Sequence, residues 1–188
     1  MTKNLSEIVN KDWSLFLDRD GVINVRPLND YVKTPEEFIF IPEALKAIRI
    51  VSDIFGKIFV VTNQQGVGLG LMTQTVLDEI HQILSNKVVE SGGKIDRIYS
   101  CTAIKTKEKN CRKPAIAMAL QAKTDFPAID FSKSIMVGDT ASDIEFGRNA
   151  GMFCVLIGDE ETSIEPDMRF DSLISFAIFL SDTNSKYT

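Results

Sequence analysis

The stretch "LFLDRDGVIN", Leu15 to Asn24, runs from three bulky apolar residues straight into Asp-Arg-Asp-Gly. A short apolar run closed by turn residues reads as a buried strand. Such a strand ordinarily gives way to a neutral turn. This one ends in Asp18 and Asp20, which in extended chain project from the same face because they stand at i and i+2. Two carboxylates so close repel each other unless a cation, or a separate task for each, holds them there.

The same pattern repeats outward along the chain. "KIFVVT" (57–62), "DRIYSC" (96–101), "SIMVGD" (134–139) and "FCVLIG" (153–158) read, with "WSLFLD" (13–18), as five short buried strands. Helix-period segments separate them at 42–54, 73–91, 114–126 and 142–151, and 171–182 reads as a last helix. Thr73 caps the second of these, and Gly92-Gly93 stops it. Strand-helix alternation predicts an α/β, doubly wound, Rossmann-like three-layer sandwich. Its sheet is expected to be mostly parallel, with five to six strands. With no repeat and no linker-like tract, residues 1–188 read as a single domain, with 1–12 and 183–188 as loose ends. In such sheets ligands bind beyond the carboxyl ends of the strands, where the strand order reverses. The residues to watch are therefore those that follow each strand: Asp18, Thr62, Cys101 and Asp139.

Composition narrows the function classes. Apolar residues make up 44% and charged residues 25%, with a formal net charge of −5, which gives no electrostatic reason to seek nucleic acid or an anionic membrane. "LISFAIFL" is too short to cross a bilayer, and "MTKNLSEIVNKDW" holds no signal-type apolar run. Three cysteines leave one unpaired in any disulfide scheme, which suggests a reducing compartment. A cytoplasmic, monomeric protein is expected.

If the sheet forms, Asp18, Asp20, Thr62, Arg112, Lys113, Asp139 and Asp143 gather on one edge. Two unit charges about 4 Å apart interact by roughly 4 kcal/mol at an effective dielectric near 20. Clustered carboxylates therefore take up protons or hold a cation, and Mg²⁺ binds through carboxylates, water and substrate phosphate. Lys113 adds a fixed charge for a phosphoryl group, and Thr62 adds a hydroxyl. The chemistry that emerges is metal-assisted phosphoryl transfer. One Asp acts as nucleophile and the other handles the leaving group's proton.

Together "FLDRDGVIN", "VVTNQQG", "CRKP" and "MVGDTASDIEFGRNAG" resemble the four motifs of haloacid dehalogenase (HAD) superfamily phosphatases. The wording is similar to the branch of heptose 1,7-bisphosphate phosphatases, with histidinol-phosphate phosphatases as near relatives. The resemblance implies a capless HAD-like fold, since the gaps between motifs leave no room for a cap domain. Asp18 would be nucleophile and Mg²⁺ ligand; Asp20 would be general acid/base, with its backbone carbonyl on the metal. Thr62 and Lys113 would hold the phosphoryl group. Asp139 and Asp143 would complete the metal site, and Tyr31, Asn63, Gln64, Gln65 and Arg112 would contact a small sugar phosphate.

The chain also departs from that pattern. The branch usually carries a zinc loop before "CRKP"; here Cys101 and Cys111 match two ligands, while Ala103 and Lys109 occupy the other places. Zinc is not expected, because a structural site takes four N/S ligands, and the loop is expected to be held by packing. Leu69 and Thr140 stand where relatives often place cations. Bland readings apply elsewhere. "GVGLG" is a flexible loop rather than a dinucleotide turn, "KTKEK" (105–109) is solvated, His81 is a helix-face residue and Cys154 is core. Arg19 is expected to point away from the site. Outside the enzymes, a receiver-like phospho-accepting module also fits an Asp at a strand end, but it would have no use for Asp20.

Overall fold

The computed structural model describes residues 5–28, 30–106 and 110–184. Six strands, β1 (Ser14–Leu17), β2 (Lys57–Asn63), β3 (Arg97–Cys101), β4 (Ser134–Gly138), β5 (Phe153–Ile157) and β6 (Met168–Phe170), form one sheet in the order β3-β2-β1-β4-β5-β6. Every pairing is parallel. The helices are α1 (Leu5–Ile8), α2 (Ala44–Ile54), α3 (Gln65–Gly68), α4 (Gln74–Glu90), α5 (Ala117–Asp125), α6 (Ala141–Ala150) and α7 (Leu173–Asn184).

Parallel strands covered on both faces are built from continuous apolar runs. β1 shows this plainly: all four of its residues are buried. Its side chains alternate between two cores. Leu15 and Leu17 join Ile48, Val51, Leu84 and Phe176 on one side, and Phe16 joins Phe59, Met118 and Phe146 on the other. A one-residue slip would exchange the two sets, so the register is tightly specified.

Two sequence expectations need correction. β6 was not among the five strands read from the sequence; it spans three residues, too few for an apolar pattern to show. The N-terminal segment is no loose end from Leu5 onward, since Leu5 and Val9 are buried and α1 packs on α7. Residues 1–4 and 185–188 lie outside the described residues. Among the described residues no helix is long and apolar enough to cross a membrane.

The topology places the site. From β1 the chain steps to β2 and β3 on one side, then returns to add β4 on the other. A crevice therefore opens beyond the carboxyl ends of β1 and β4. Asp18 and Asp139 are the residues that directly follow those two strands.

Candidate active site

A cavity of about 550 Å³ occupies this crevice, lined among others by Asp18, Asp20, Thr62, Arg112, Lys113 and Asp143. Asp18 continues the line of β1, and its N–H donates to Val137 O at 2.9 Å. Asp143 stands in the first turn of α6. Its Oδ2 accepts from the Thr140 N–H at 3.1 Å and the Thr140 hydroxyl at 2.6 Å. This is one half of a capping box. The spacing Thr140-x-x-Asp143 thus performs a local task, and it leaves Asp143 Oδ1 facing Lys113.

Lys113 is buried between the acids. Its Nζ lies 2.6 Å from Asp18 Oδ1 and 2.6 Å from Asp143 Oδ1, and it donates to Val61 O at 2.8 Å. Its backbone is clamped by one side chain. The Lys113 N–H donates to Asn63 Oδ1 at 3.0 Å, and Asn63 Nδ2 donates to Lys113 O at 3.3 Å. Asn63 lines the cavity, but its amide is engaged in aiming Lys113.

Two glycines permit this crowding. Gly21 sits at φ +97°, and a Cβ there would fall 1.9 Å from Asp139 Oδ2. At Gly138 a Cβ would fall 2.1 Å from the Asp143 Cβ. Side chains at either position would push the carboxylates apart.

Oxygens of Asp18, Asp139 and Asp143 lie within 4.8 Å of one another. Burial pushes the Asp18 carboxyl up; Lys113 opposes this, and the negative charge of Asp143, Asp139 and Asp20 adds to it. Burial and then Asp143 push Asp139 up to about 6 despite Arg26, whose Nη1 donates to Asp139 Oδ2 at 3.2 Å. Asp139 Oδ1 is buried with no hydrogen-bond partner among the described residues. Lys113 and the half-exposed Arg26 together do not balance three acids. A hard divalent cation with oxygen ligands fits both the surplus charge and the unpartnered oxygen.

Asp20 is held apart from that trio. Oδ1 accepts from Arg19 Nη2 at 2.9 Å and from Asn24 Nδ2 at 2.9 Å, and Oδ2 accepts from Gln64 Nε2 at 2.7 Å. Burial works to raise its pKa, but the Arg19 charge and these hydrogen bonds outweigh it and hold the carboxyl below the usual range. Gln64 Nε2 also donates to Thr62 Oγ1 at 2.8 Å. With Thr62 Oγ1 accepting there, its own proton is free to donate into the cavity.

The remaining expected contacts line the cavity as well. Gln65 Nε2 donates to the Tyr31 hydroxyl, and Gln65 Oε1 accepts from the Lys105 N–H at 3.0 Å, so one amide ties three loops together. Arg112 Nη1 donates to Ala103 O at 3.3 Å. "GVGLG" is not a free loop: Gln65–Gly68 form a helical turn. The segment Cys101–Cys111 is not held by packing alone, because its end cysteines are joined in a disulfide with Cα atoms 5.5 Å apart. An odd cysteine count says nothing against one such pair. Lys107, Glu108 and Lys109 of "KTKEK" lie outside the described residues. Cys154 is buried core.

The sequence reading missed Asn24, fully buried under Asp20, and Arg26 at the cavity mouth. Asn24 carried one usable signal, its place four residues after Asp20 in a turn. Arg26 carried none.

Comparison with known proteins gives the family. A HAD-hydrolase-like family model matches residues 110–173. The D-glycero-alpha-D-manno-heptose-1,7-bisphosphate 7-phosphatase of Mycobacterium bovis is 37% identical over 179 residues, covering 93% of this chain and 94% of that protein. The chain belongs to this family of HAD-type phosphatases. A beta-named member from Pseudomonas aeruginosa is 36% identical over 143 residues, covering 76% of this chain and 79% of that one. Among solved structures, the D,D-heptose 1,7-bisphosphate phosphatase of B. bronchiseptica, complexed with magnesium and phosphate, superposes with a TM-score of 0.83. It is 26% identical, and the match covers 91% of this chain and 99% of that one. As a family member the protein is a phosphoric monoester hydrolase.

Proposed function

We propose that this phosphatase removes the 7-phosphate of D-glycero-D-manno-heptose 1,7-bisphosphate, using Mg²⁺ and an aspartyl-phosphate formed on Asp18. The observation that carries the reading is the division of labour at the strand ends. Asp18 sits against Lys113 and the other two acids, while Asp20, two residues on, is held by a separate set of donors. Two carboxylates in two environments suit two roles.

In the first half-reaction an Asp18 oxygen attacks phosphorus and the bond to the sugar oxygen breaks. The donors around Asp20 keep it ionised in the free site, so a proton carried in on the substrate phosphate passes through Asp20 to that oxygen, and the sugar leaves as an alcohol. In the second, water attacks the aspartyl-phosphate, Asp20 takes the water's proton, and phosphate leaves with Asp18 restored. Lys113 and the Thr62 hydroxyl hold the equatorial oxygens throughout. Asp18, Asp139 and Asp143, with the Asp20 carbonyl, would hold Mg²⁺, which supplies positive charge against the transferring phosphoryl group.

The test is phosphate release with Mg²⁺ from both anomers of the heptose bisphosphate, from histidinol phosphate and from common sugar monophosphates. One heptose anomer should lead in kcat/KM by about tenfold or more. Preference for histidinol phosphate, or no release from any substrate, would overturn the reading. Asp20→Asn is expected to lower kcat by about 10²–10³-fold. A receiver-like module, which needs no proton donor beside its acceptor, would keep full phosphorylation in that variant.

The raised acids also set a pH dependence. A carboxyl whose pKa lies above its ordinary value keeps its proton until higher pH, so protons compete with the cation. Mg²⁺ affinity should therefore fall as pH drops from about 8, the Asp18 value, through about 6, that of Asp139, by about tenfold or more between pH 7.5 and 5.5 in calorimetry. A flat profile would mean that the ion is held by other groups.

A further inference from the structure

Arg19 stands between two residues that line the cavity, yet it is wholly buried and not itself part of the lining. Its guanidinium is fastened at both prongs. Nη2 reaches Asp20 Oδ1 at 2.9 Å, and Nη1 lies 3.3 Å from Nε2 of His81 on α4. Cζ sits 5.6 Å from the centre of the Phe38 ring, a cation over an aromatic face. Arg19 does turn away from the cavity as its position suggested, but it does so while gripping Asp20.

A guanidinium nitrogen only donates, so the facing His81 nitrogen accepts and the ring is neutral, with its proton on Nδ1. Burial, followed by the Arg19 charge, pushes the His81 pKa down to about 4, in keeping with that assignment. The guanidinium is a rigid planar fork, so pinning one prong fixes the direction of the other. The target of that other prong needs fixing. The terminal torsion of an aspartate is soft, and its carboxylate turns readily unless outside groups restrain it.

We propose that His81, acting through Arg19, is a positioning residue that orients the Asp20 carboxylate for proton transfer to the leaving sugar oxygen. The proposal rests on the acid/base reading of Asp20. Asn24 and Gln64 hold the same carboxylate from other sides, so loss of His81 loosens its orientation without releasing it. The single histidine of the chain is thereby tied to the chemistry from a helix that contributes nothing to the cavity wall.

Leaving-group dependence tests this, because a sugar alkoxide needs a proton to depart and p-nitrophenolate does not. kcat/KM reports steps up to transfer onto Asp18, so later hydrolysis of the aspartyl-phosphate does not mask the effect. His81→Ala should lower kcat/KM about tenfold for heptose 1,7-bisphosphate but less than about threefold for p-nitrophenyl phosphate. His81→Gln, whose amide oxygen can accept from Nη1, should restore the sugar substrate to within about threefold of the parent. An equal loss on both substrates, no loss on either, or a selective loss that Gln fails to restore would overturn the proposal. Asp20→Asn, measured alongside, separates the two failures. If it affects both substrates alike, the acid/base reading of Asp20 falls. If it is selective while His81→Ala is not, the positioning role alone falls.

Discussion

Asp18→Asn is expected to abolish phosphate release, a loss on the order of 10⁵-fold or more. An amide has neither the charge nor the nucleophilic oxygen to form the aspartyl-phosphate, and neither Asp143 nor Asp20 can stand in. Asp143 Oδ2 is taken up by Thr140, and Asp20 is turned into its own cage of donors. The fold should not suffer. Burial and three neighbouring carboxylates push the Asp18 carboxyl up to about 8, from an ordinary 3.8. A raised acid weakens the native state once the unfolded chain ionises, and the effect grows with pH until the folded group ionises too. Without added metal, Asp18→Asn should therefore melt no lower than the parent at pH 8, and the gap should close toward pH 4. Retained turnover, traced to neither contaminant nor reversion, would remove Asp18 from the reaction.

How much of this was legible follows from where each residue sits. Asp18, Thr62, Lys113, Asp139 and Asp143 could be gathered from the sequence because strand ends in a parallel sheet converge, whatever the loops do. Four of the five longer strands announced themselves as apolar runs and β3 by its Ile98-Tyr99 pair, whereas β6, with Arg169 at its centre, offered no such run. What stayed hidden depends on side-chain direction. The family resemblance implies Asn63 and Gln64 as substrate contacts; it says nothing of their amides, which close on Lys113 and on Asp20 with Thr62. His81 read as a helix-face residue, because its partner Arg19 lies 62 positions away and the helical period says nothing of what faces it. The cysteines illustrate the same limit. Pairing of Cys101 with Cys111 follows from the path of the loop between them, and a count of cysteines carries no information on that path.

Lys113→Met should act on stability and on rate together. Its Nζ has 2.6 Å contacts with Asp18 and Asp143 and a 2.8 Å bond to Val61 O, in a site where its side chain is only 2% exposed. Methionine nearly keeps the volume but removes the one cation buried among these acids. Taking away one partner of a buried ion pair costs about 3–5 kcal/mol, because the charge left behind is uncompensated. Burial works against the Lys113 ammonium, yet Asp143 and Asp18 outweigh it and raise its pKa, so the native state favours the charged form. That contribution is fully present below the ordinary lysine value, and across neutral pH the variant should melt well below the parent. The deficit should shrink in acid, as the carboxylates take up protons, and should shrink on adding Mg²⁺, whose charge replaces part of what was lost. Turnover should fall on the order of 10³-fold even with metal present, since the phosphoryl oxygens lose their fixed cation. A melting point unmoved by the substitution would mean that the ion pairs contribute nothing to the fold. Read beside Asp18→Asn, the pair becomes diagnostic: one variant keeps or gains stability, the other loses it, and both lose the reaction. A common loss of activity with opposite shifts in stability cannot come from unfolding, which leaves the chemistry of the two groups themselves.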